Sequence, residues 1–236
     1  MNAKPIRGVI FDLDGTLADS YEAIYLSFRY AYEQMGLKPL CFEEVKRAVG
    51  LGLRVTFRDL LGEERIEEAL RLFRHQYESI YRENTRLLPG AQEVLQTLHA
   101  RGMRLAVATN KLGRFSREIF RHFSLDGLFA AVVGDEDVPQ NKPHPAMLFF
   151  ALEKMGLEKD EAVFVGDSRI DIQTGKNAGV RVFAVSTGVH TKEELQQAKP
   201  DKLFERLLDL LDYFSSSAFY PRRGQFMNCP YGRECF

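Results

Sequence analysis

Two aspartates that stand one residue apart, Asp12 and Asp14, follow an apolar stretch in the segment VIFDLDGTLADS (9–20). If this stretch is a strand, residues two apart point to the same side, so both carboxylates emerge together at its carboxyl end. Such charges repel each other unless a counter-charge is present or one of them keeps a proton. A hard divalent cation such as Mg²⁺, which prefers carboxylate and phosphate oxygens, would relieve the repulsion. Gly15 follows in a turn whose backbone N–H groups suit an anion.

Further polar side chains follow other apolar stretches of the chain. Asp167 and Asp171 lie in VFVGDSRIDIQ (163–173) and add two carboxylates, which share one face if a helix begins there. Thr109 and Asn110 end the stretch AVATN, and Lys142 stands in QNKPHP. A hydroxyl, an amide and an ammonium group all donate hydrogen bonds to phosphate oxygens, although Thr109 and Asn110 taken alone also suit a helix cap. The pattern therefore indicates acids for a metal ion and donors for a phosphate.

The elements that would position these side chains alternate between strand and helix. Five stretches are continuously apolar, which is typical of parallel strands covered on both faces. Helical segments lie between them, and this order predicts an α/β fold with a doubly wound parallel sheet. Ligands of such sheets bind at the carboxyl ends of the strands, where the polar side chains would lie. The predicted strands are 8–13, 103–109, 130–134, 162–167 and 181–186, and the predicted helices are 91–101, 113–123, 145–156 and 170–179.

The region between the first and second of these strands has no strand signal. Its apolar residues recur three and four apart, which predicts helices at 21–36, 42–49, 55–62 and 63–85. We therefore expect a core formed by 1–17 and 86–214, with an inserted all-helical domain at 18–85. A last amphipathic helix is predicted at 201–214, and we expect the tail, 215–236, to be flexible or packed on the surface.

Composition limits the class of protein. Lys and Arg number 32 and Asp and Glu 33, a net charge of -1, so no overall field attracts nucleic acid or an acidic membrane. No apolar run approaches membrane-spanning length, and the amino terminus does not resemble a signal peptide. Cys41, Cys229 and Cys235 form no disulfide framework and fit a reducing cytoplasm, and the last two carry only a weak zinc signal. The histidines, His190 among them, show no metal-ligand spacing and are expected to be structural.

Four segments in this order, DLDGTLADS, TNK, KPHP and GDSRID, resemble the four motifs of the haloacid dehalogenase-like (HAD) superfamily. The helical insert between the first two motifs resembles its C1 cap, and the nearest subgroup is the phosphoglycolate phosphatase-like branch. The resemblance spans about residues 6–213. It implies a Rossmann-like parallel-sheet core with a helical cap, and a Mg²⁺-dependent phosphatase in the cytoplasm that acts on a small phosphate ester. It implies no nucleic-acid or membrane partner.

The resemblance also implies roles for the matching residues. Asp12 would attack phosphorus and form an aspartyl-phosphate, and Asp14 would be the general acid and then the general base. Thr109 and Lys142 would hold the transferring phosphoryl group. These roles agree with elementary chemistry, because a carboxylate attacks an anionic phosphate only when its charge is neutralised. A covalent intermediate then divides hydrolysis into two easier steps.

For the metal, the resemblance implies that Asp167 binds Mg²⁺ together with Asp12 and the backbone carbonyl of Asp14, while Asp171 ligates the ion or orients its ligands. In the cap, the segment VGLGLRVTF (49–57) resembles the position of the substrate-specificity loop. Arg54 in this segment would reach a carboxylate of the substrate. The alternative, a surface arginine at the start of a helix, is equally consistent with the sequence.

Several activities fit the same core. Hydrolysis of 2-phosphoglycolate is the first hypothesis, and inorganic pyrophosphatase or a β-phosphoglucomutase-type phosphotransferase are alternatives. A dehalogenase is disfavoured because that branch usually lacks the second aspartate. A non-catalytic HAD-like binding protein ranks lowest, since every required catalytic position is present. The sequence does not determine the natural substrate or the oligomeric state.

Overall fold

The computed structural model of this 236-residue protein describes residues 4–215. In that range the strands are β1 (Gly8–Phe11), β2 (Ala18–Asp19), β3 (Arg86–Leu87), β4 (Arg104–Ala108), β5 (Phe129–Val133), β6 (Ala162–Gly166), β7 (Arg181–Val185) and β8 (Lys202–Phe204). Six of them form a sheet in the order β5-β4-β1-β6-β7-β8, and every neighbouring pair is parallel. β2 and β3 pair antiparallel in a separate ribbon.

The centre of the sheet is formed by the strands with the most continuous apolar sequence. β1 (GVIF) and β6 (AVFVG) are buried at every position, whereas the edge strand β5 is only partly buried. Helices cover both faces of such a sheet, so its central strands carry apolar side chains on both sides. The chain runs outward from β1 in two directions, through β4 to β5 and through β6 to β8. The five strands and the α/β class predicted from the sequence are confirmed.

The helix predicted at 201–214 is wrong in its first half. Lys202–Phe204 form β8, which pairs with β7, and the helix begins only at Asp209. Tertiary contacts account for the difference, because β7 would otherwise present an unpaired edge. The Ser186 N–H donates to the carbonyl of Phe204 (3.0 Å), and the rings of Phe183 and Phe204 meet edge to face at 5.7 Å. The apolar spacing of this segment suits a helix as well as a strand, so the sequence periodicity did not distinguish between these two structures.

Four helices lie between β2 and β3, as predicted for the cap: α1 (Tyr21–Gln34), α2 (Phe42–Ala48), α3 (Leu53–Leu61) and α4 (Ile66–Ile80). They share an aromatic core in which Phe28 contacts Phe57 and Phe73 at ring-centre distances of 4.6 and 5.2 Å. All three rings are buried, and each such burial contributes roughly 1.5–3 kcal/mol. This core explains why the insert folds as a helical unit over the sheet.

The remaining helices surround the sheet: α5 (Ala91–Ala100), α6 (Gly113–His122), α7 (Ala146–Met155), α8 (Arg169–Ala178), α9 (Lys192–Gln197) and α10 (Asp209–Ser215). The β2–β3 ribbon joins the helical insert to the sheet, and its register pairs Ala18 with Leu87. The Leu88 N–H also donates to the carbonyl of Leu17 at 2.9 Å. The ribbon stands near the predicted borders of the cap, while the division into two domains remains a prediction.

Other predictions concern the ends of the chain and its surface. The tail 215–236, with Cys229 and Cys235, lies outside the described residues except for Ser215. Cys41 is exposed and carries a free thiol. Among residues 4–215, we find no helix with the length and apolar character needed to cross a bilayer.

Candidate active site

Three buried carboxylates meet at the carboxyl edge of the sheet. Asp12 follows β1, Asp167 follows β6, and Asp171 lies in the first turn of α8. One oxygen from each lies within 4.8 Å of the others, and all three residues are buried. They meet because β1 and β6 are neighbours in the sheet, and the Asp12 N–H donates to the carbonyl of Val165 at 2.8 Å. The structure therefore brings together three of the four acids that were predicted to be metal ligands.

The burial of this cluster changes the affinity of its acids for protons. Burial raises the pKa of Asp12 from 3.8 to about 7, in spite of the opposing charge of Lys142 and with a further contribution from Asp171. Burial, with the charges of Asp171 and Asp12, also raises the pKa of Asp167 well above its usual range. Three carboxylates beside one lysine leave two formal negative charges, which a divalent cation offsets. Three hard oxygen donors in one place therefore fit a Mg²⁺ ion.

Lys142 supplies the positive charge of the cluster. It lies in the loop between β5 and α7, and its side chain is only 3% exposed. Its Nζ is 2.8 Å from Asp12 Oδ1 and donates to Asp171 Oδ1 at 2.7 Å. Burial acts to lower the pKa of Lys142, but the two carboxylates outweigh it and raise the pKa, so the ammonium stays charged. A cation fixed beside Asp12 is suited to attract an anionic phosphate, as predicted.

Asp171 is held in place from both sides. Its second oxygen accepts hydrogen bonds from the Ser168 N–H (3.0 Å) and the Ser168 hydroxyl (2.6 Å). The bond from the Ser168 N–H, together with one from the Asp171 N–H to the Ser168 hydroxyl oxygen (3.2 Å), forms the capping box of α8. Each of its oxygens therefore already has a protein partner before a metal arrives. This arrangement favours the second of its two predicted roles, which is to orient the neighbouring groups.

Thr109 and Asn110 follow β4 but differ in whether their side chains still have a proton to donate to a ligand. The Thr109 hydroxyl accepts a hydrogen bond from the Lys111 N–H at 3.2 Å and still has its own proton to donate. The Asn110 amide group donates to the carbonyls of Gly50 (2.8 Å) and Lys142 (3.1 Å), and its oxygen accepts from the Lys142 N–H (2.9 Å). Because both amide protons are engaged, the Asn110 side chain ties the cap to the core. The phosphate contact predicted for this side chain is not supported by its geometry.

Asp14 leaves the acid cluster, although the sequence predicted that it would emerge beside Asp12. The chain turns sharply after Leu13, whose carbonyl accepts three backbone hydrogen bonds from residues 16–18. The Asp14 carboxylate instead accepts hydrogen bonds from Lys111 Nζ at 2.8 and 3.0 Å and from the Ser20 hydroxyl at 2.5 Å. Its side chain is therefore no metal ligand here, while the predicted role of its backbone carbonyl remains a prediction.

Lys111, the last residue of the TNK segment, is a further residue of the site. Its side chain is only 8% exposed. Burial acts to lower the pKa of Lys111, but the carboxylate of Asp14 outweighs it and raises the pKa. The signal in the sequence was its position directly after Thr109 and Asn110 at a strand end.

Gly15 is required where the chain passes the acid cluster. Its φ is +87°, a conformation that other residues rarely adopt, and a Cβ here would stand 2.5 Å from Asp167 Oδ2. The Thr16 hydroxyl donates to Asp167 Oδ1 at 2.8 Å, so the same turn also fixes that carboxylate. The absence of a side chain lets the backbone approach the acid cluster closely.

A cavity of about 90 Å³ lies between the acid cluster and the cap. A water molecule needs about 10–15 Å³ of such space, so the cavity admits a small molecule rather than a polymer. Its floor includes Asp12, Asp14, Thr109, Asn110, Lys111, Lys142 and Asp167, and its cap wall includes Tyr21, Ile24, Leu53, Thr56, Phe73 and Tyr77. His190, expected to be structural, also lines it, and burial lowers its pKa. Sequence periodicity had no means to distinguish Tyr21 and Tyr77 from ordinary core aromatics.

Arg54, the predicted contact for a substrate carboxylate, does not line this cavity. It lies on α3 between two residues that do, Leu53 and Thr56, but its side chain points to α4. Its Nη2 donates to Glu67 Oε1 at 2.6 Å, and the two side chains are 57% and 77% exposed. The structure therefore favours the alternative, a surface arginine.

Comparisons with known proteins identify the family of this chain. The family model described as "Haloacid dehalogenase-like hydrolase" matches residues 9–185. Phosphoglycolate phosphatase 1 of Pseudomonas aeruginosa is 35% identical over 87% of this chain and 78% of its own, and the pyrophosphatase PpaX of Halalkalibacterium halodurans is 32% identical over 88% and 96%. A crystal structure from Haemophilus somnus, described as a predicted phosphoglycolate phosphatase, superposes with a TM-score of 0.80 and 30% identity, covering 90% of this chain and 99% of its own. The chain therefore belongs to the haloacid dehalogenase-like hydrolase family.

Proposed function

We propose that this protein is a Mg²⁺-dependent phosphatase that hydrolyses a small phosphomonoester through an aspartyl-phosphate on Asp12. One observation carries the proposal. Lys142 Nζ lies 2.8 Å from Asp12 Oδ1 on the floor of a small cavity, beside the acids that fit a divalent cation. A nucleophilic carboxylate that must approach an anionic phosphate needs this combination of charges.

Asp12 and Asp167 would hold the Mg²⁺ ion, with Asp171 orienting them through its contact with Lys142. When bound, the ion supplies the positive charge that lets a carboxylate attack phosphorus and that stabilises the charge of the transferring group. The raised pKa values of Asp12 and Asp167 support this role. Burial makes ionisation of these carboxylates unfavourable, and a bound cation would stabilise the ionised form.

In the first step, an oxygen of Asp12 forms a bond to phosphorus while the bond between phosphorus and the leaving oxygen breaks. Asp14 donates a proton to that oxygen, so the leaving group departs as an alcohol. Lys142 and the Thr109 hydroxyl hold the oxygens of the transferring phosphoryl group. The position of Asp14 apart from the acid cluster supports a separate role in proton transfer, and hydrogen bonds from Lys111 and Ser20 hold its carboxylate in place.

In the second step, water attacks the aspartyl-phosphate. Asp14 accepts a proton from this water, the bond between phosphorus and Asp12 breaks, and inorganic phosphate leaves. Both steps use the same proton carrier, because the proton that Asp14 gives to the leaving group in the first step is replaced by the proton that it takes from water in the second. The cavity limits the access of bulk water, which would otherwise weaken these electrostatic interactions.

2-Phosphoglycolate is the first substrate to test, because several relatives carry the name phosphoglycolate phosphatase. Pyrophosphate is the second, because the relative PpaX is named a pyrophosphatase. The small cavity supports substrates of this size over polymers or phosphoproteins.

The experiment is release of inorganic phosphate, with Mg²⁺ or EDTA, from 2-phosphoglycolate, pyrophosphate, sugar phosphates and an aryl phosphate. We expect Mg²⁺-dependent release by the wild type and none by Asp12→Asn, with unchanged circular dichroism. Asp160→Asn, at an exposed ion pair with Lys4, is the matched control and should behave as the wild type. Turnover by Asp12→Asn at the wild-type rate would exclude Asp12 as the nucleophile, and no release from any ester would contradict the proposal.

A further inference from the structure

The hydroxyl of Tyr77 is a polar group in the wall of the cavity that the proposed reaction steps do not use. Tyr77 lies on α4 of the cap, is 1% exposed and lines the cavity. Within residues 4–215, its buried Oη makes no well-aligned hydrogen bond, and the groups that interact with it are Lys111 and Ser20. The Lys111 ammonium has only protons to offer, so it does not accept the proton of the Tyr77 hydroxyl. A hydroxyl without a well-aligned partner in the wall of a ligand-sized cavity is placed to donate to a ligand.

The ring of Tyr77 is held in a fixed position. It stacks on Phe73 and on Tyr81, both at a ring-centre distance of 5.6 Å, and it meets Phe115 edge to face at 5.0 Å. Rotation of the ring about its own axis leaves Oη in place. The hydroxyl therefore stands in a defined position in the cavity wall.

The place of Tyr77 relative to the reacting groups indicates which part of an ester it meets. Lys111 Nζ lies 5.0 Å from the centre of the Tyr77 ring. The same Nζ donates a hydrogen bond to Asp14, the proposed proton carrier. The phosphoryl group would lie beside Asp12 and Lys142. Tyr77 on the cap wall therefore faces the part of the substrate that departs with the proton from Asp14.

The side chains of the cavity wall indicate which kind of atom the leaving group presents to Tyr77. Burial raises the pKa of Tyr77, so its hydroxyl keeps its proton and donates. The neighbouring Thr56 hydroxyl is already committed to the carbonyls of Ala48 (3.1 Å) and Gly52 (3.0 Å). Ile24, Leu53 and Phe73 add apolar surface to this wall, and Tyr21 adds a second phenol ring.

We propose that Tyr77 is a specificity-determining residue, whose hydroxyl donates a hydrogen bond to an acceptor atom on the leaving group of the ester. For 2-phosphoglycolate this acceptor is a carboxylate oxygen. The inference rests on the proposed phosphatase function and assigns to Tyr77 the substrate contact that Arg54 does not make.

The test compares two esters that differ at the atom in question. 2-Phosphoglycolate carries a carboxylate group on its ester methylene, whereas ethyl phosphate carries a methyl group on the same carbon. We expect Tyr77→Phe to lower the ratio of kcat/KM for 2-phosphoglycolate to that for ethyl phosphate by about tenfold to a hundredfold, the range of a hydrogen bond to a charged group. Tyr81→Phe is the matched control, because Tyr81 is on the same helix, its hydroxyl accepts from Arg82, and it does not line the cavity.

Each outcome bears on the inference separately from the proposed function. A lower ratio in Tyr77→Phe but not in Tyr81→Phe supports a contact with the leaving group. Equal losses for both esters would overturn it and assign the hydroxyl to support of Lys111 and Asp14, and an unchanged ratio would overturn it as well. A wild-type enzyme that hydrolyses both esters equally would also refute the leaving-group contact while leaving the phosphatase intact. No hydrolysis of any ester would refute the phosphatase itself.

Discussion

The buried acid cluster is expected to make the metal-free protein less stable as the pH rises, and Mg²⁺ is expected to reverse this. Burial raises the pKa of Asp12 from 3.8 to about 7 and shifts that of Asp167 in the same direction. Between pH 3.8 and about pH 7, Asp12 in the folded protein keeps a proton that it has lost in the unfolded chain. The free energy of unfolding therefore falls as the pH rises through this window, and the loss is complete above the folded-state pKa.

The magnitude follows from the shift of Asp12 alone. A rise from 3.8 to about 7 corresponds to about 4 kcal/mol at high pH, at about 1.4 kcal/mol per unit of pKa. About half of this, roughly 2 kcal/mol, is lost between pH 5.5 and pH 8. For a protein of this length, that loss lowers Tm by about 4–8 °C. A bound Mg²⁺ ion holds the carboxylates ionised without this cost, so it should raise Tm more at pH 8 than at pH 5.5.

Thermal unfolding followed by circular dichroism measures this, in EDTA and in saturating Mg²⁺ at both pH values. The chain contains no tryptophan, which makes circular dichroism the more direct probe. Asp12→Asn removes the titrating group, so the difference between the wild type and this variant isolates Asp12 from the histidines, which titrate in the same range. A wild-type Tm in EDTA that is constant or rises with pH relative to Asp12→Asn would refute the reasoning.

Three further substitutions test other parts of the site. Gly15→Ala places a Cβ 2.5 Å from Asp167 Oδ2 at a φ of +87°, so we expect loss of kcat and at least about 1–2 kcal/mol of stability; wild-type kcat and Tm would contradict the close approach. Asn110→Ala removes the hydrogen bonds to Gly50 and Lys142 and should lower stability by about 1–3 kcal/mol in urea unfolding, whereas an unchanged midpoint would argue against this tie between cap and core. Arg54→Ala breaks only an exposed ion pair, so kcat/KM for 2-phosphoglycolate should stay within about twofold of wild type. A large rise in KM would restore Arg54 as a substrate contact.

The sequence by itself determined the class of fold and the floor of the site. Continuous apolar stretches specify buried parallel strands, and in such a sheet the residues that follow neighbouring strands must meet at one edge. Asp12 and Asp167 lie close together because each directly follows a strand and those two strands are neighbours in the sheet. The same reasoning placed Thr109 in the cavity. Lys142 reaches the two aspartates from the longer loop after β5, whose path only the fold determines.

Tertiary structure decided how the chain turns and what covers it. Asp14 leaves the acid cluster because the backbone turns after Leu13, which period-two reasoning for a straight strand does not anticipate. Phe204 joined a strand because β7 had an edge to pair, although its segment has a helical period. The Asn110 side chain donates to the Gly50 carbonyl of the cap, so it is not available for a phosphate. Tyr77 lines the cavity because α4 packs over the edge of the sheet. The local sequence shows the periodicity and polarity of a segment. The hydrogen-bond partners of a side chain such as that of Asn110 are residues distant in sequence, and only the folded structure brings them together.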